Sequence, residues 1–392
     1  MLVGCENGCR GAGVPTGSSE ARSHSASPSP PLAPLPLPAS GRIGHVFLII
    51  LENKGFSGTF KEGSRAPYLA KTLTAQGALL TRYYGIGHNS LGNYIAMISG
   101  QGPNPVTQQD CLTFEDFVGT GPDPTLDGQA VGRGCVYPAT VPSLPDQLEH
   151  ALPSPLGWKG YMEDMGKDPN REASTCGHPP VGAKDNTQSA TPKDQYAARH
   201  DPFVYFHAII DDQARCDAHV VGLDQLKTDL ASVSTTPSFS VIIPNLCNDG
   251  HDTGCANGAP GGLASIDTFL QEWIPTILAA PGYRQDGLIV ITFDEAETPY
   301  ADSTACCGET KTPNTDLPGI IGMGGGITGA VLLSPFIAGG TVSTTPINHY
   351  GLLKTFGQIF GVPYLGYAAR PDLGTLGPDV FTRAMPQLPA RP

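Results

Sequence analysis

Basic residues are scarce. The chain of 392 residues holds 23 Lys and Arg against 36 Asp and Glu, a formal net charge of −13. No basic stripe is visible, which excludes a nucleic-acid backbone as the main partner. A phosphorylated substrate stays open, because a bound cation inverts the local field. No run of eighteen apolar residues occurs, so no membrane-spanning helix is expected. Internal repeats are absent, and neither Gly-x-Gly-x-x-Gly nor a Walker loop opens a helix, which removes the common nucleotide-binding signatures. The ten cysteines include no Cys-x-x-Cys pair. Disulfides in an exported protein (secreted, periplasmic or lipoprotein-anchored) are therefore expected ahead of a zinc cluster, with Cys247 and Cys255 as the first pair.

Residues 1–40 form a Pro- and Ser-rich tail with too few apolar groups to offset the entropy of ordering, and disorder is expected there. Its opening, Met1-Leu2-Val3-Gly4-Cys5, resembles the end of a lipoprotein signal, which predicts a lipid anchor and a true start upstream. Residues 41–385 alternate short β-rich apolar runs with helical patterns. Strands are expected at 45–51, 79–84, 158–162, 239–243, 288–293 and 330–333, and helices near 66–77, 90–99, 143–151, 222–233, 263–278 and 350–360. That alternation predicts a single α/β domain with a parallel sheet covered on both faces. Segments 101–140 and 298–329 are expected as loops that shape specificity.

Chemistry gathers where strands end. The run Val46-Phe47-Leu48-Ile49-Ile50-Leu51 has no polar alternation, as in a strand buried on both faces, and Glu52-Asn53 follows it directly. A polar turn would explain that pair alone. However, the run at 288–293 leads in the same way into Asp294-Glu295, and ligands of open α/β sheets bind beyond the carboxyl ends of strands. The third cluster, His88-Asn89-Ser90-Leu91-Gly92-Asn93-Tyr94, sits at a helix start. Unpaired N–H groups and the helix dipole there lower the cost of an alkoxide and attract phosphate oxygens. Ser90 as a plain N-cap is the competing reading. A fourth cluster carries Asp249, His251 and Asp252, a plausible ligand or acid–base set. His200 and His349 stand in suggestive places, where a buried structural histidine is the alternative. A serine nucleophile, carboxylates for a divalent cation, and histidines or amides for the remaining oxygens together make a phosphoryl-transfer constellation.

The ordered segments Glu52-Asn53-Lys54-Gly55-Phe56, His88 to Tyr94, Arg199-His200-Asp201-Pro202-Phe203, Asn245 to Asp252, Asp294-Glu295 and Asn348-His349 resemble the bacterial phosphoesterase family of secreted acid phosphatases and phospholipases C, within the alkaline-phosphatase superfamily. The resemblance spans about 300 residues. It departs from the family where Asn89 and Gly92 replace the prolines usual around the serine. It implies an alkaline-phosphatase-like three-layer sandwich with a mostly parallel central sheet. It further implies a metal-dependent phosphoric-ester hydrolase working through a phosphoserine. In that scheme Glu52, Asn53, Ser90, Asp294 and Glu295 bind the divalent metal ion, and Ser90 is the nucleophile. Asn93, His200 and His251 contact substrate. Asp252 and His349 complete the catalytic pocket, and a second metal lies near Asp249, His251 and His349. The substrate would be a phosphomonoester, or alternatively a phospholipid headgroup in a phospholipase C reaction. A different class, a surface-tethered binding protein on an inactivated hydrolase fold, fits the linker equally; the competent residue type at every catalytic position weighs against it.

Overall fold

The computed structural model describes residues 37, 41–308 and 311–388. The expected tail at 1–40, with its lipoprotein-like opening, lies outside the described residues apart from Leu37. In chain order the strands are β1 (His45–Leu51), β2 (Ala78–Leu80), β3 (Tyr83–Tyr84), β4 (Val118–Asp123), β5 (Gln129–Arg133), β6 (Trp158–Met162), β7 (Val220–Gly222), β8 (Phe239–Ile243), β9 (Gly287–Phe293), β10 (Ala330–Leu333), β11 (Thr341–Ser343) and β12 (Ile347–Asn348). Eight of them build one sheet in the order β11-β2-β10-β9-β1-β8-β6-β7. Only β10 runs antiparallel to its neighbours, so the sheet is mostly parallel.

Why β1 occupies the centre follows from its side chains. Val46, Leu48 and Ile50 enter one apolar cluster, and Phe47, Ile49 and Leu51 enter the other. A strand with two apolar faces must be covered on both, and only an interior position in a layered α/β fold allows that. The helices Ser90–Ser99 and His349–Phe360 contribute to the first cluster, and Gly262–Ala279 to the second, which gives three layers.

The expected strands are present, with one division. The stretch 79–84 breaks at Thr81-Arg82, so that β2 joins the main sheet and β3 pairs with β12. Residues 222–233 are helical only over Gln225–Asp229, because the chain is still finishing β7 at Gly222. The expected loop at 101–140 contains a hairpin, β4–β5. Its Gly- and Pro-bearing first strand has no buried face and hence no alternation to read. Four disulfides occur among the described residues: Cys111–Cys135, Cys176–Cys216, the expected Cys247–Cys255, and Cys306–Cys307. No helix among them is long and apolar enough to cross a membrane.

Buried carboxyl groups set a pH dependence. Burial pushes Asp201 up to about 7 although Phe203 N–H and Tyr196 OH donate to it, and pushes Glu163 up to about 7 against the N–H of Asn245. Each folded-state value exceeds its unfolded one, so the native state holds protons that the unfolded chain has lost. Stability is therefore lowest above pH 7 and recovers as pH falls through 7. Below about 6.5 the trend reverses for His349, which burial depresses to about 4, since the unfolded chain then takes up the proton first. Thermal unfolding in chelator should show a rising Tm from pH 8.5 to 6.5, worth about 1 kcal/mol per carboxyl. A Tm falling over that interval would contradict the assignment.

Candidate active site

β9, β1 and β8 are adjacent and parallel, so their carboxyl ends open on one edge. Leu51 hands over to Glu52, Phe293 to Asp294, and β8 runs on through Asn245 to Asp249. The ladder continues beyond the strands: Asp294 N–H donates to Leu51 O at 2.9 Å, and Glu52 N–H to Asp249 O at 2.8 Å. Three carboxylates from distant parts of the sequence thus meet with their backbones locked. Asn53 turns the chain away at φ 49°, a left-handed conformation that asparagine tolerates. Its N–H donates to Asp294 Oδ1 at 3.1 Å.

Ser90 faces this edge from a helix buried along all ten of its residues, Ser90–Ser99. The N-cap is Asn89, so the capping explanation for Ser90 does not hold. Instead the Ser90 hydroxyl donates to Glu52 Oε2 at 2.8 Å. Tyr94, one turn on, donates to Glu52 Oε1 at 2.5 Å, and its ring stacks on His200 at 5.2 Å and 3°. His200 lies between carboxylates, its Nδ1 at 3.2 Å from Asp249 and its Nε2 at 3.5 Å from Glu52. Arg199 donates one N–H to Gln188 O and approaches His251 Nε2 at 3.4 Å; the other nitrogen of that ring bonds Asp252 at 2.8 Å. Burial and the Arg199 charge push His251 below its ordinary value.

Glu52, Asp249, Asp294 and Glu295 are all fully or nearly fully buried, and burial pushes each well above the carboxylate range; neighbouring carboxylates push further in the same direction. Asp294 Oδ2, Asn53 Oδ1, Asp249 Oδ2 and His200 Nε2 are buried without a hydrogen-bond partner. Crowded like charges and orphaned acceptors, with Arg199 and Lys54 as the neighbouring cations, fit a bound divalent cation. The oxygen donors suited to it are Glu52, Asp294, the Asn53 amide and the Ser90 hydroxyl. Among the described residues no group of three or more His, Cys, Asp or Glu converges as ligands.

Three expectations change. His349 has both nitrogens engaged away from a substrate role: its Nε2–H donates to the Asp294 backbone carbonyl at 2.6 Å, just past β9, and its Nδ1 meets Tyr83 OH of β3 at 3.0 Å. The second-metal set therefore does not converge, since His251 is directed to Arg199 and Asp252 and His349 to Asp294. Asn93, expected at the phosphate, spends its carbonyl on the N–H groups of Ile86 and Gly87 and its amide on Gly87 O and Glu295 Oε2; it fixes the loop before Ser90. Glu295, expected as a ligand, accepts Asn53 Nδ2 on one oxygen and Asn93 Nδ2 on the other, and each oxygen keeps a lone pair for a cation.

Tyr94, Arg199 and Asp110 were given no role from sequence. Asp110 accepts Leu91 N–H at the start of the Ser90 helix, and its other oxygen lies 4.0 Å from Arg199. The spacing of Tyr94 four residues after Ser90, on the same helix face, was the available signal.

The sequence profile of the Phosphoesterase family matches residues 58–363. Similar proteins include a phosphate-repressible acid phosphatase of Penicillium chrysogenum, 24% identical over 75% of this chain and 54% of that protein. An acid phosphatase of Aspergillus fumigatus is 24% identical over 82% of this chain and 55% of its own length. A phosphatidylinositol-3-phosphatase of Mycobacterium tuberculosis is 23% identical over 83% and 79%. The chain spans about half the length of the fungal relatives. Their presence beside the mycobacterial protein widens the bacterial grouping expected from sequence. Among solved structures, a protein of the alkaline phosphatase superfamily from Vibrio parahaemolyticus superposes with a TM-score of 0.36 at 10% identity, over 84% of this chain and 69% of that one.

Proposed function

Because the chain belongs to the Phosphoesterase family, we propose that residues 41–385 form an exported, alkaline-phosphatase-like hydrolase of phosphomonoesters, an acid phosphatase acting through a phosphoserine at Ser90. The observation that carries this reading is the Ser90 hydroxyl aimed at Glu52 from the N-terminus of a buried helix, with Asp294 in the same cluster. Ser90 Oγ attacks phosphorus in line; the Oγ–P bond forms, the bond from phosphorus to the ester oxygen breaks, and the alcohol leaves after taking a proton from solvent. The Ser90 proton is directed to Glu52 Oε2, which Tyr94 holds in place. Arg199 keeps N–H groups beyond those given to Gln188 and His251, and these suit phosphoryl oxygens. Water then attacks phosphorus, the Oγ–P bond breaks and phosphate leaves; Glu52 returns its proton to Ser90 Oγ, and a proton of the water passes to solvent. A divalent cation held by Glu52, Asn53, Ser90 and Asp294 would supply Lewis-acid stabilisation of the charge on those oxygens.

Purified protein should release phosphate from a phosphomonoester at least about tenfold faster, in kcat/KM, than it cleaves a choline phosphodiester under identical metal conditions, and elemental analysis should find a divalent metal. Preference for the diester would move the assignment to phospholipase C chemistry. Absence of metal and of all phosphate-ester turnover would promote the inactive binding protein.

A further inference from the structure

A cavity of about 410 Å³ is lined by Pro105, Gln108, Gln109, Thr315, Asp316, Leu317 and Ile320. Its wall is tied to the chain on either side of Ser90. Gln108 O accepts the Asn89 side-chain amide, Gln108 Nε2 donates to Leu317 O and Pro318 O, Pro318 O accepts His88 N–H, and Asp110, just past the cavity, accepts Leu91 N–H. Residues 88, 89 and 91 are thus all fixed by the segments that form it.

Two further observations concern its apolar side. Leu317 is 43% exposed and Ile320 is 40% exposed, so the protein leaves two large aliphatic side chains partly uncovered there. Ile320 also has φ 66°. A β-branched residue in the left-handed region is a genuine outlier, and such strain persists where the surrounding structure imposes it. Neither feature is accounted for by packing of the core.

We infer that this cavity is the leaving-group subsite, and that it takes an apolar alkyl or aryl alcohol of the phosphate ester held at Ser90. The inference rests on the hydrolase reading for its name, and on the cavity for its chemistry. Among its lining residues, Gln108 and Asp316 would meet a polar link, while Leu317 and Ile320 would cover the hydrocarbon. The expectation that segment 298–329 shapes specificity thereby acquires two named residues.

Non-hydrolysable phosphonates separate the subsite from turnover. By calorimetry, hexylphosphonate should bind the whole protein about tenfold or more tighter than methylphosphonate, since burying even part of the added chain gives that much. Ile320→Asn should bring the ratio towards one while changing methylphosphonate affinity less than about twofold. Asparagine is at ease at positive φ, so this variant should fold at least as well as the parent. Leu317→Asn, at a position of ordinary φ, provides a second reading. Equal affinities in the parent, or a ratio unmoved in both variants, would overturn the subsite. An intact ratio in a protein that turns over no phosphomonoester would overturn the hydrolase reading and leave the subsite standing.

Discussion

Ser90→Ala should lower turnover of phosphomonoesters by at least about 10⁴-fold while the fold survives. Nothing else in the described cluster offers a nucleophile in the same position: the hydroxyl projects from the first turn of a helix whose backbone is fixed by burial, and Tyr94 is committed to Glu52. Alanine is a good helix former, and the lost bond to Glu52 Oε2 costs about 1 kcal/mol. A Tm near that of the parent together with lost phosphate release is the expected pair of results. Wild-type turnover in this variant would end the phosphoserine mechanism.

Glu52→Gln should have the next largest effect, with two parts of opposite sign. Shape is nearly conserved, and the amide can still accept from Tyr94 and donate to Ser90. The charge is gone, so metal content should collapse and activity should drop at least about 100-fold. In chelator, however, the variant should unfold at a higher temperature than the parent. Burial and the Asp294 charge already push the Glu52 carboxyl upward, and removing it relieves that repulsion. Added metal should stabilise the parent by mass action and leave the variant unmoved. Unchanged metal content would show that Glu52 is not a ligand.

How much of this could be read from the chain depends on what a one-dimensional pattern records. Glu52 and Asp294 were legible because each follows a strand with two apolar faces, and a polar pair at such a boundary has few other reasons to exist. Ser90 was legible from its position at a helix start. The main strands were visible for the same reason, whereas β7, β11 and β12, two or three residues long, carry no period at all. His349 misled because a histidine ahead of a helix looks the same whether it meets a substrate or bonds a backbone carbonyl. Tyr94 was hidden in the opposite way: an aromatic in a wholly buried helix reads as core, and only the third dimension shows its hydroxyl on Glu52. Asn93 and Glu295 were found, but their mutual hydrogen bond, which turns Asn93 towards holding the loop, was invisible.

The central position of β1 also has a consequence in time. It is synthesised well before its neighbours, which begin only at Phe239 and Gly287. At about 5–20 residues per second, a growing chain carries this apolar strand unpaired for roughly 10–40 s before its first partner exists. Cleaved or stalled fragments ending before β8 would hold Ser90 and Glu52 but no sheet to bring them together. Such fragments should be inert, and β1 is the segment of the nascent chain with most need of a chaperone.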